Sequence, residues 1–336
     1  MTRKVRWGIL STAAIGVNKV IPAMQAGDCS EIVAIASRDI DKARKAAAQL
    51  GLRRAYGSYE ELLNDDQIEA IYNPLPNHLH LPWTIKAAEA GKHVLCEKPI
   101  GLNVNEARQL LEVRDRTGVK IQEAFMVRTH PQWLAARDLI RAGRIGELRS
   151  INGFFSYCNT DPKNIRNQLD IGGGALLDIG CYPITVSRFM FEDEPRRVIS
   201  LIERDEHFGT DRLVSAILDF PSGQASFTCG TQTVPYQRMQ ICGARGRIEV
   251  EIPFNAPPDK PTRIFIHDGV DLAGNNPEVK EFPICNQYAI QGELFSQAIR
   301  DGGEQAVPLE NSVNNMAVID AVFRSTTSGQ WETVTR

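Results

Sequence analysis

Two hydrophobic periods alternate along the first third of the chain. Short apolar runs at Val5–Leu10, Glu31–Ser37, Ala70–Asn73, His93–Cys96 and Lys120–Ala124 read as strands, with a brief one near Ala55 and Tyr56. Between them, Ala14–Gln25, Asp39–Leu50, Tyr59–Asn64, Leu81–Ala90 and Asn105–Thr117 read as helices, the second with Asp39 as its N-cap. Strands separated by helices require right-handed crossovers, so the pattern predicts a doubly wound parallel sheet over residues 1–124.

Beyond Ala124 the rhythm changes. Helix Pro131–Ala142 leads past Gly143 and Gly146 into a long strand, Leu148–Tyr157, and helix Cys181–Phe191 follows a glycine cluster. Val198–Glu203, Arg212–Asp219, Gln224–Thr228, Met239–Cys242, Arg247–Ile252 and Arg263–His267 then read as strands joined by turns rather than helices. That succession predicts an α+β domain over 125–336, built on a large, mostly antiparallel open sheet. Helices Gln287–Arg300 and Leu309–Ser325 close the chain, over this sheet or back on the first domain, and Pro253–Pro261 is a proline-rich loop. At 336 residues, two domains are the expected organisation.

Charge narrows the partners. A net charge of −3 leaves no electrostatic footprint for nucleic acid or anionic membrane. No apolar run reaches the roughly 18 residues of a membrane helix, and Ser11, Thr12 and Asn18 interrupt the N-terminal stretch that a signal peptide would need unbroken. Seven scattered cysteines, never spaced as Cys-x-x-Cys, argue against a disulfide framework and a thiolate metal site and suit a reducing, cytoplasmic setting.

Candidate chemistry collects at the carboxyl ends of the predicted parallel strands, where ligands of such sheets bind. Gly8–Gly16 has the position of a dinucleotide fingerprint, but Ser11 and Ala13 replace its first two glycines. Backbone N–H groups of Ser11, Thr12, Ala13, Ala14 and Ile15 can still hold phosphate at the helix start. Ser37 and Arg38 end the second strand, where an NAD-binding chain would place Asp or Glu; a hydroxyl and a guanidinium favour a 2′-phosphate, with Lys42 as a second cation. Asn73, Leu75, Asn77 and His80 line a rigid loop suited to ribose or nicotinamide. His78 and His80 have no Cys or carboxylate nearby in sequence to complete a metal site. Glu97-Lys98-Pro99 brings a carboxylate and an ammonium to a strand end, a costly placement unless the charges are paired or used. Glu123–Arg128 runs from the end of the sixth strand and brings Arg128 towards the cleft as a further candidate cofactor contact. In the second domain Gly172-Gly173-Gly174 precedes Asp178 and Tyr182, four apart and so on one helical face. Tyr182 can act there as acid/base with Asp178 as its orienter or a substrate anchor, or the pair can be a helix cap and a half-buried tyrosine. Tyr157 and Arg166, just upstream, are candidate substrate contacts.

Gly91–Pro99, with Asn77-His-Leu-His80 upstream and Gly173–Tyr182 downstream, resembles the glucose–fructose oxidoreductase / inositol dehydrogenase / rhizopine catabolism (Gfo/Idh/MocA) oxidoreductase family over essentially the whole chain. The resemblance implies a Rossmann domain, Lys98 as a catalytic residue, Asp178 and Tyr182 completing the site, a cis bond before Pro99, and a dimer or higher homo-oligomer through the second sheet. Tyr182, where many members carry His, is similar to the branch with NADP-dependent xylose dehydrogenases and dimeric dihydrodiol dehydrogenase. An NADP(H)-dependent oxidoreductase acting on a sugar or polyol, such as an aldose 1-dehydrogenase converting D-xylose to its lactone, is thereby implied. The alternatives are a trans-dihydrodiol or dicarbonyl oxidoreductase and a non-catalytic NADP-sensing regulator; Glu97 either orients Lys98 or meets the nicotinamide ribose.

Overall fold

The structure is a computed structural model that describes residues 3–335. In chain order, β1 (Val5–Leu10), a π-helical segment (Gly16–Val20) running into α1 (Ile21–Gln25), β2 (Ser30–Ala36), α2 (Ile40–Leu50), β3 (Arg54–Tyr56), α3 (Tyr59–Leu63) and β4 (Ala70–Asn73) come first. Then come α4 (His80–Glu89), β5 (His93–Cys96), α5 (Val104–Thr117), β6 (Ile121–Glu123), α6 (Pro131–Arg141), β7 (Leu148–Cys158), a second π-helical segment (Leu176–Gly180) and α7 (Cys181–Phe191). The rest is β8 (Arg197–Arg204), β9 (Asp211–Phe220), β10 (Gly223–Gly230), β11 (Gln232–Gly243), β12 (Arg247–Val250), β13 (Thr262–His267), β14 (Glu278–Phe282), α8 (Gln287–Asp301), α9 (Leu309–Ser328) and β15 (Glu332–Thr333).

The first six strands form a parallel sheet in the order β3-β2-β1-β4-β5-β6. Its central strands are apolar on both faces because crossover helices cover both; Trp7, Ile9 and Tyr72 are fully buried. Asp39, Ser58 and Asn103 cap α2, α3 and α5 through their side chains, so each helix starts where a strand-end loop releases it. The remaining nine strands form a sheet in the order β14-β13-β12-β11-β7-β10-β9-β8-β15, antiparallel except where β10 runs parallel to β7. On one face, Val198, Val214, Ala216 and Leu218 are buried, and α9 is stitched to β8 by Ser200 through Val322 and Ser325. On the other, Leu201, Leu213 and Ile217 are exposed, Leu201 pairing with Ser215, which lies between the other two on β9.

Several details depart from expectation. Both π-helical segments hold the residue four before a proline, Asn18 before Pro22 and Ile179 before Pro183. A proline has no N–H and its ring crowds that carbonyl, which loosens the turn. Strand β11 is longer than foreseen, because the register shift around Pro235 lets the strand continue past a residue that cannot donate to the ladder. Strand β14 escaped a hydrophobic reading because four of its five residues are exposed.

The chain divides into two compact units, Met1–Met126 with Asn286–Val313, and Val127–Cys285 with Asn314–Arg336. A single cut after residue 124 is thus corrected for residues 286–313. Helix α8 completes the core of the parallel sheet: Trp7 Nε1 donates to Ser296 Oγ at 3.1 Å, the Trp7 and Phe295 rings lie 5.8 Å apart, and Glu293 accepts the Cys29 N–H at 3.0 Å.

Each unit contains a buried structural histidine. His80 Nδ1 and Nε2 lie 2.6 Å from the carbonyl oxygens of Pro99 and Leu75. His130 caps α6 by accepting the Gln132 N–H, and its Nε2 meets Cys285 Sγ at 3.4 Å. Burial lowers both rings to about 4, against the two carbonyl acceptors that favour a proton on His80. An unfolded histidine takes up its proton near ~6.5, so each ring's contribution is complete above that pH and is lost as pH falls toward the folded value. Asp211, raised to about 6 by burial, acts the opposite way between roughly pH 4 and 6 but is one group against two. Guanidinium unfolding at pH 7.5 and 5.0 is expected to show a net loss on acidification, about 2 kcal/mol per histidine before the Asp211 offset. His80→Gln and His130→Gln should each flatten that dependence; an unchanged slope in both would refute the assignment.

Candidate functional site

The cofactor half is built on the carboxyl ends of β1, β2, β4 and β5. Ser11 leaves β1 with φ of +75°, the left-handed conformation that a fingerprint glycine would adopt without strain. Its Oγ accepts the Ala13 N–H at 3.2 Å, a local turn that holds the non-glycine residue in place. The helical run that follows has no side-chain cap, and Ala14 at its start is exposed while Thr12, Ala13 and Ile15 are half-buried. Backbone donors at an uncapped helix start suit a pyrophosphate, so the degenerate fingerprint keeps the shape of the full one.

At the end of β2, Ser37 is buried and its Oγ accepts the Asp39 N–H, whereas Arg38 is exposed and its guanidinium lies by the Tyr59 hydroxyl. Asp39, the nearest acid, is turned into α2: Oδ1 accepts the Asp41 and Lys42 N–H groups, and Oδ2 faces Lys42 Nζ at 3.7 Å. Two exposed cations beside a carboxylate already engaged fit a ribose 2′-phosphate.

The loop after β4 is stiffer than a contact loop needs to be. Asn73 is fully buried; its amide donates to the His80 carbonyl and Thr84 Oγ1 and accepts the Leu75 N–H. Asn73, Leu75 and His80, expected as cofactor contacts, are buried, and the side-chain polar atoms of Asn73 and His80 find partners within the loop and its neighbours. Asn77 opens the short 3-10 turn Asn77–Leu79 and is half-buried. His80 ties that loop to the backbone of Pro99, one residue past Lys98, and the Lys98–Pro99 bond is cis, as the resemblance implies. Glu97 and Lys98 are half-buried. Glu97 accepts the hydroxyl of the buried Tyr72 at 2.6 Å, and burial, followed by the Glu97 charge, raises the Tyr288 phenol on α8. Glu123, at the end of β6, accepts the Ile100 N–H at 2.8 Å and so braces the far side of the turn.

Arg128 requires a correction. The chain has passed into the second unit there, and its guanidinium lies 4.2 Å above the Phe189 ring, with Arg137 at 4.7 Å. Burial and the charges of Arg188 and Arg137 lower it to about 10. Its Nε and Nη1 are buried without a hydrogen-bond partner among the described residues, and the contact it shows within that unit is cation–π attraction to Phe189.

The substrate half lies in the second unit. Tyr157 is the penultimate residue of β7, and its hydroxyl donates to Asp178 Oδ2 at 2.7 Å; Arg166 Nε donates to the same oxygen at 2.8 Å. Asp178 in turn holds the Arg166 charge and, after burial, is the main cause raising the Tyr157 phenol. The loop reaches Asp178 because Gly173 has no side chain: a Cβ there would meet the Arg166 and Gln168 carbonyl oxygens at 2.6 Å. Tyr182 is buried at 6% exposure between Phe155, edge-on with centroids 5.8 Å apart, and Phe254 at 5.5 Å. Its hydroxyl end also feels Arg166, which it stabilises. Tyr157, Arg166, Asp178 and Tyr182 are thus one cluster. Sequence reasoning missed Tyr72, Tyr288 and Asp211; the signal available for the first was a tyrosine in an otherwise aliphatic buried strand.

Residues 5–125 match the model of an oxidoreductase family with an NAD-binding Rossmann fold, and residues 133–249 match the GFO/IDH/MocA C-terminal domain. An uncharacterised oxidoreductase of Rhizobium meliloti is 50% identical over 98% of this chain and 99% of its own length. A D-xylose 1-dehydrogenase (NADP(+)) of Haloferax volcanii is 37% identical over 96% of this chain and 98% of its own. A 3-ketoreductase from Actinomadura kijaniata, solved with NADP and TDP-benzene, superposes with a TM-score of 0.90 at 30% identity, covering 96% of this chain and 98% of that one. The chain belongs to the Gfo/Idh/MocA family of NAD(P)-dependent oxidoreductases.

Proposed function

We propose that this protein is an NADP(H)-dependent dehydrogenase of a sugar or polyol, with an aldose such as D-xylose, oxidised at C1 to its lactone, as the leading substrate. The observation that carries the reading is the carboxylate of Asp178, held by Arg166 and Tyr157 one helical turn before Tyr182. Sugar hydroxyls are recognised by fixed carboxylates and phenols of this kind. The likeness to an NADP-dependent D-xylose dehydrogenase supports the substrate class, and Ser37 with exposed Arg38 supports the cofactor.

The nicotinamide, when bound, accepts the hydride; the chain's own residues handle the proton and the geometry. Tyr182 takes the hydroxyl proton in oxidation and returns it in reduction. An unperturbed phenol titrates near ~10, so a tyrosine acting as base near neutrality needs about 4 kcal/mol from a neighbouring cation. A neighbouring ammonium supplies that order at an effective dielectric of about 20, and the likeness to the family supports Lys98 in this role. Lys98 also stabilises the alkoxide as it develops, while Asp178 holds a neighbouring hydroxyl so that the reacting carbon stays in line.

A second reading has one observation in its favour. Ile165 and Leu169, on either side of Arg166, are exposed apolar side chains that suit an aromatic dihydrodiol. The mouse trans-1,2-dihydrobenzene-1,2-diol dehydrogenase is 31% identical over 83% of this chain and 80% of its own. Following NADPH absorbance with an aldose panel and a trans-dihydrodiol separates the two.

The second sheet's exposed face, which carries Leu201 and Ile217, is proposed as a self-association surface. Light scattering should show an oligomer that Ile217→Lys converts to smaller species. Lys98→Met and Tyr182→Phe should each lower kcat on the best substrate by about 10²–10⁴-fold; turnover within a few-fold of wild type would end the assignment. Arg38→Ala should raise KM for NADP about tenfold or more, the loss of a charge-assisted hydrogen bond, and leave KM for NAD unchanged. Equal changes for both cofactors would remove Arg38 from the 2′-phosphate site.

A further inference from the structure

The helix that carries Asp178 and Tyr182 begins against a buried carboxylate from another strand. Asp211 opens β9 at 1% exposure, and its Oδ2 accepts the Leu176 N–H at 2.6 Å, with the Ala175 N–H also directed at the carboxylate. Gly174 has φ of +120°, and a Cβ on it would overlap the Asp211 carboxylate, so the glycine is the gap through which the acid reaches the helix start. The reach is fixed from the other side too. The β8–β9 turn is closed by Asp205, whose Oδ1 accepts the His207 and Phe208 N–H groups at 2.8 Å and whose Oδ2 accepts Gln232 Nε2 at 2.9 Å. That turn sets where β9 starts, and with it where Asp211 stands.

The arrangement is a side-chain cap supplied from a distant strand, where capping is usually local. Asp178 N–H bonds the Gly174 carbonyl at 3.2 Å, so Asp178 lies within one turn of the capped end. A shift of that end moves Asp178, and through it the oxygen that Tyr157 and Arg166 both hold. The turn itself is π-helical, Leu176–Gly180, a wider and less stable winding than an α-helix, so it needs an external fix to keep one conformation.

We propose that Asp211 is the positioning residue for the substrate half of the site, fixing the height and rotation of the Asp178–Tyr182 turn through the Leu176 and Ala175 N–H groups. It touches neither substrate nor cofactor, and the proposal rests on the reading of Asp178 and Tyr182 given above. Removing it leaves two helix-start donors without an acceptor and frees the turn to slide toward the vacated space.

The test is steady-state kinetics on Asp211→Ala and Asp211→Asn, with the best aldose and NADP⁺, alongside NADPH binding followed by fluorescence. Misplacement of a reacting group by about 1 Å costs on the order of 100-fold, so Asp211→Ala should lose roughly 30- to 100-fold in kcat. NADPH affinity should stay within a few-fold, because the cofactor half is built on other strands. Asp211→Asn keeps an oxygen acceptor in place and should recover kcat to within about tenfold of wild type. A residue needed only for stability would lower the melting temperature and leave kcat per bound NADPH unchanged, and that result in Asp211→Ala overturns the proposal. If Asp211→Ala does not fold, Asp211→Asn decides alone: a folded protein with a 100-fold loss shows that charge, not the positioned acceptor, matters, and also overturns it. Lys98→Met and Tyr182→Phe run in parallel separate the failures. If both lose turnover while Asp211→Ala does not, only this inference falls; if neither does, the functional reading falls and takes this inference with it.

Discussion

Backbone groups at the ends of strands and helices have no partner within their own element, and folding must find one for each. Much of what is distinctive in this chain is an answer to that constraint. Ser11 bends into a glycine conformation and lends its hydroxyl to Ala13; Asp39 turns its carboxylate into α2; His80 bridges two loop carbonyls; Glu123 takes the Ile100 N–H. The residues assigned to chemistry stand at these same ends because loops there can point side chains outward, while the polar groups behind them hold the loops still.

The two halves share this logic and differ in how it is met. On the cofactor side the supports come from neighbouring strand ends, so Asn73, His80 and Glu123 brace one another across short distances. On the substrate side Asp178 is gripped by Tyr157 from β7 and by Arg166 from the loop that follows it, 21 and 12 residues earlier in the chain. A half-buried carboxylate so held is fixed in direction, which is what recognition of one hydroxyl among several requires.

The parallel sheet was legible because buried strands carry uninterrupted apolar runs and crossover helices a 3.6-residue period. Glu97-Lys98-Pro99 and the Asp178–Tyr182 spacing were legible because charges at buried strand ends and polar residues one helical turn apart stand out against that background. The misses have physical causes. The sequence shows Arg128 following a strand but not that the chain has already turned into another unit, where its guanidinium lies over Phe189. Asn73 and His80 read as contacts, since nothing local reveals that their polar atoms are consumed inside the loop. Asp211 lies in a strand of alternating pattern like any other, and its role depends on a glycine 37 positions earlier, read as the difference between residues 174 and 211. Strand β14 is exposed and charged at three of its five positions and offers no period to detect.

Helix α8 lends itself to a different kind of conclusion. The indole N–H of Trp7, made among the first residues of the chain, is satisfied by Ser296, and Phe295 fills the core beside it. On a ribosome the parallel sheet therefore waits, with one side of its core open, until almost the whole polypeptide has emerged. The order of synthesis and the order of assembly are uncoupled: the unit begun first is finished after the strands of the second sheet from β7 to β14 have been made. A truncated transcript that keeps every residue of the first 124 would still lack the helix that closes them.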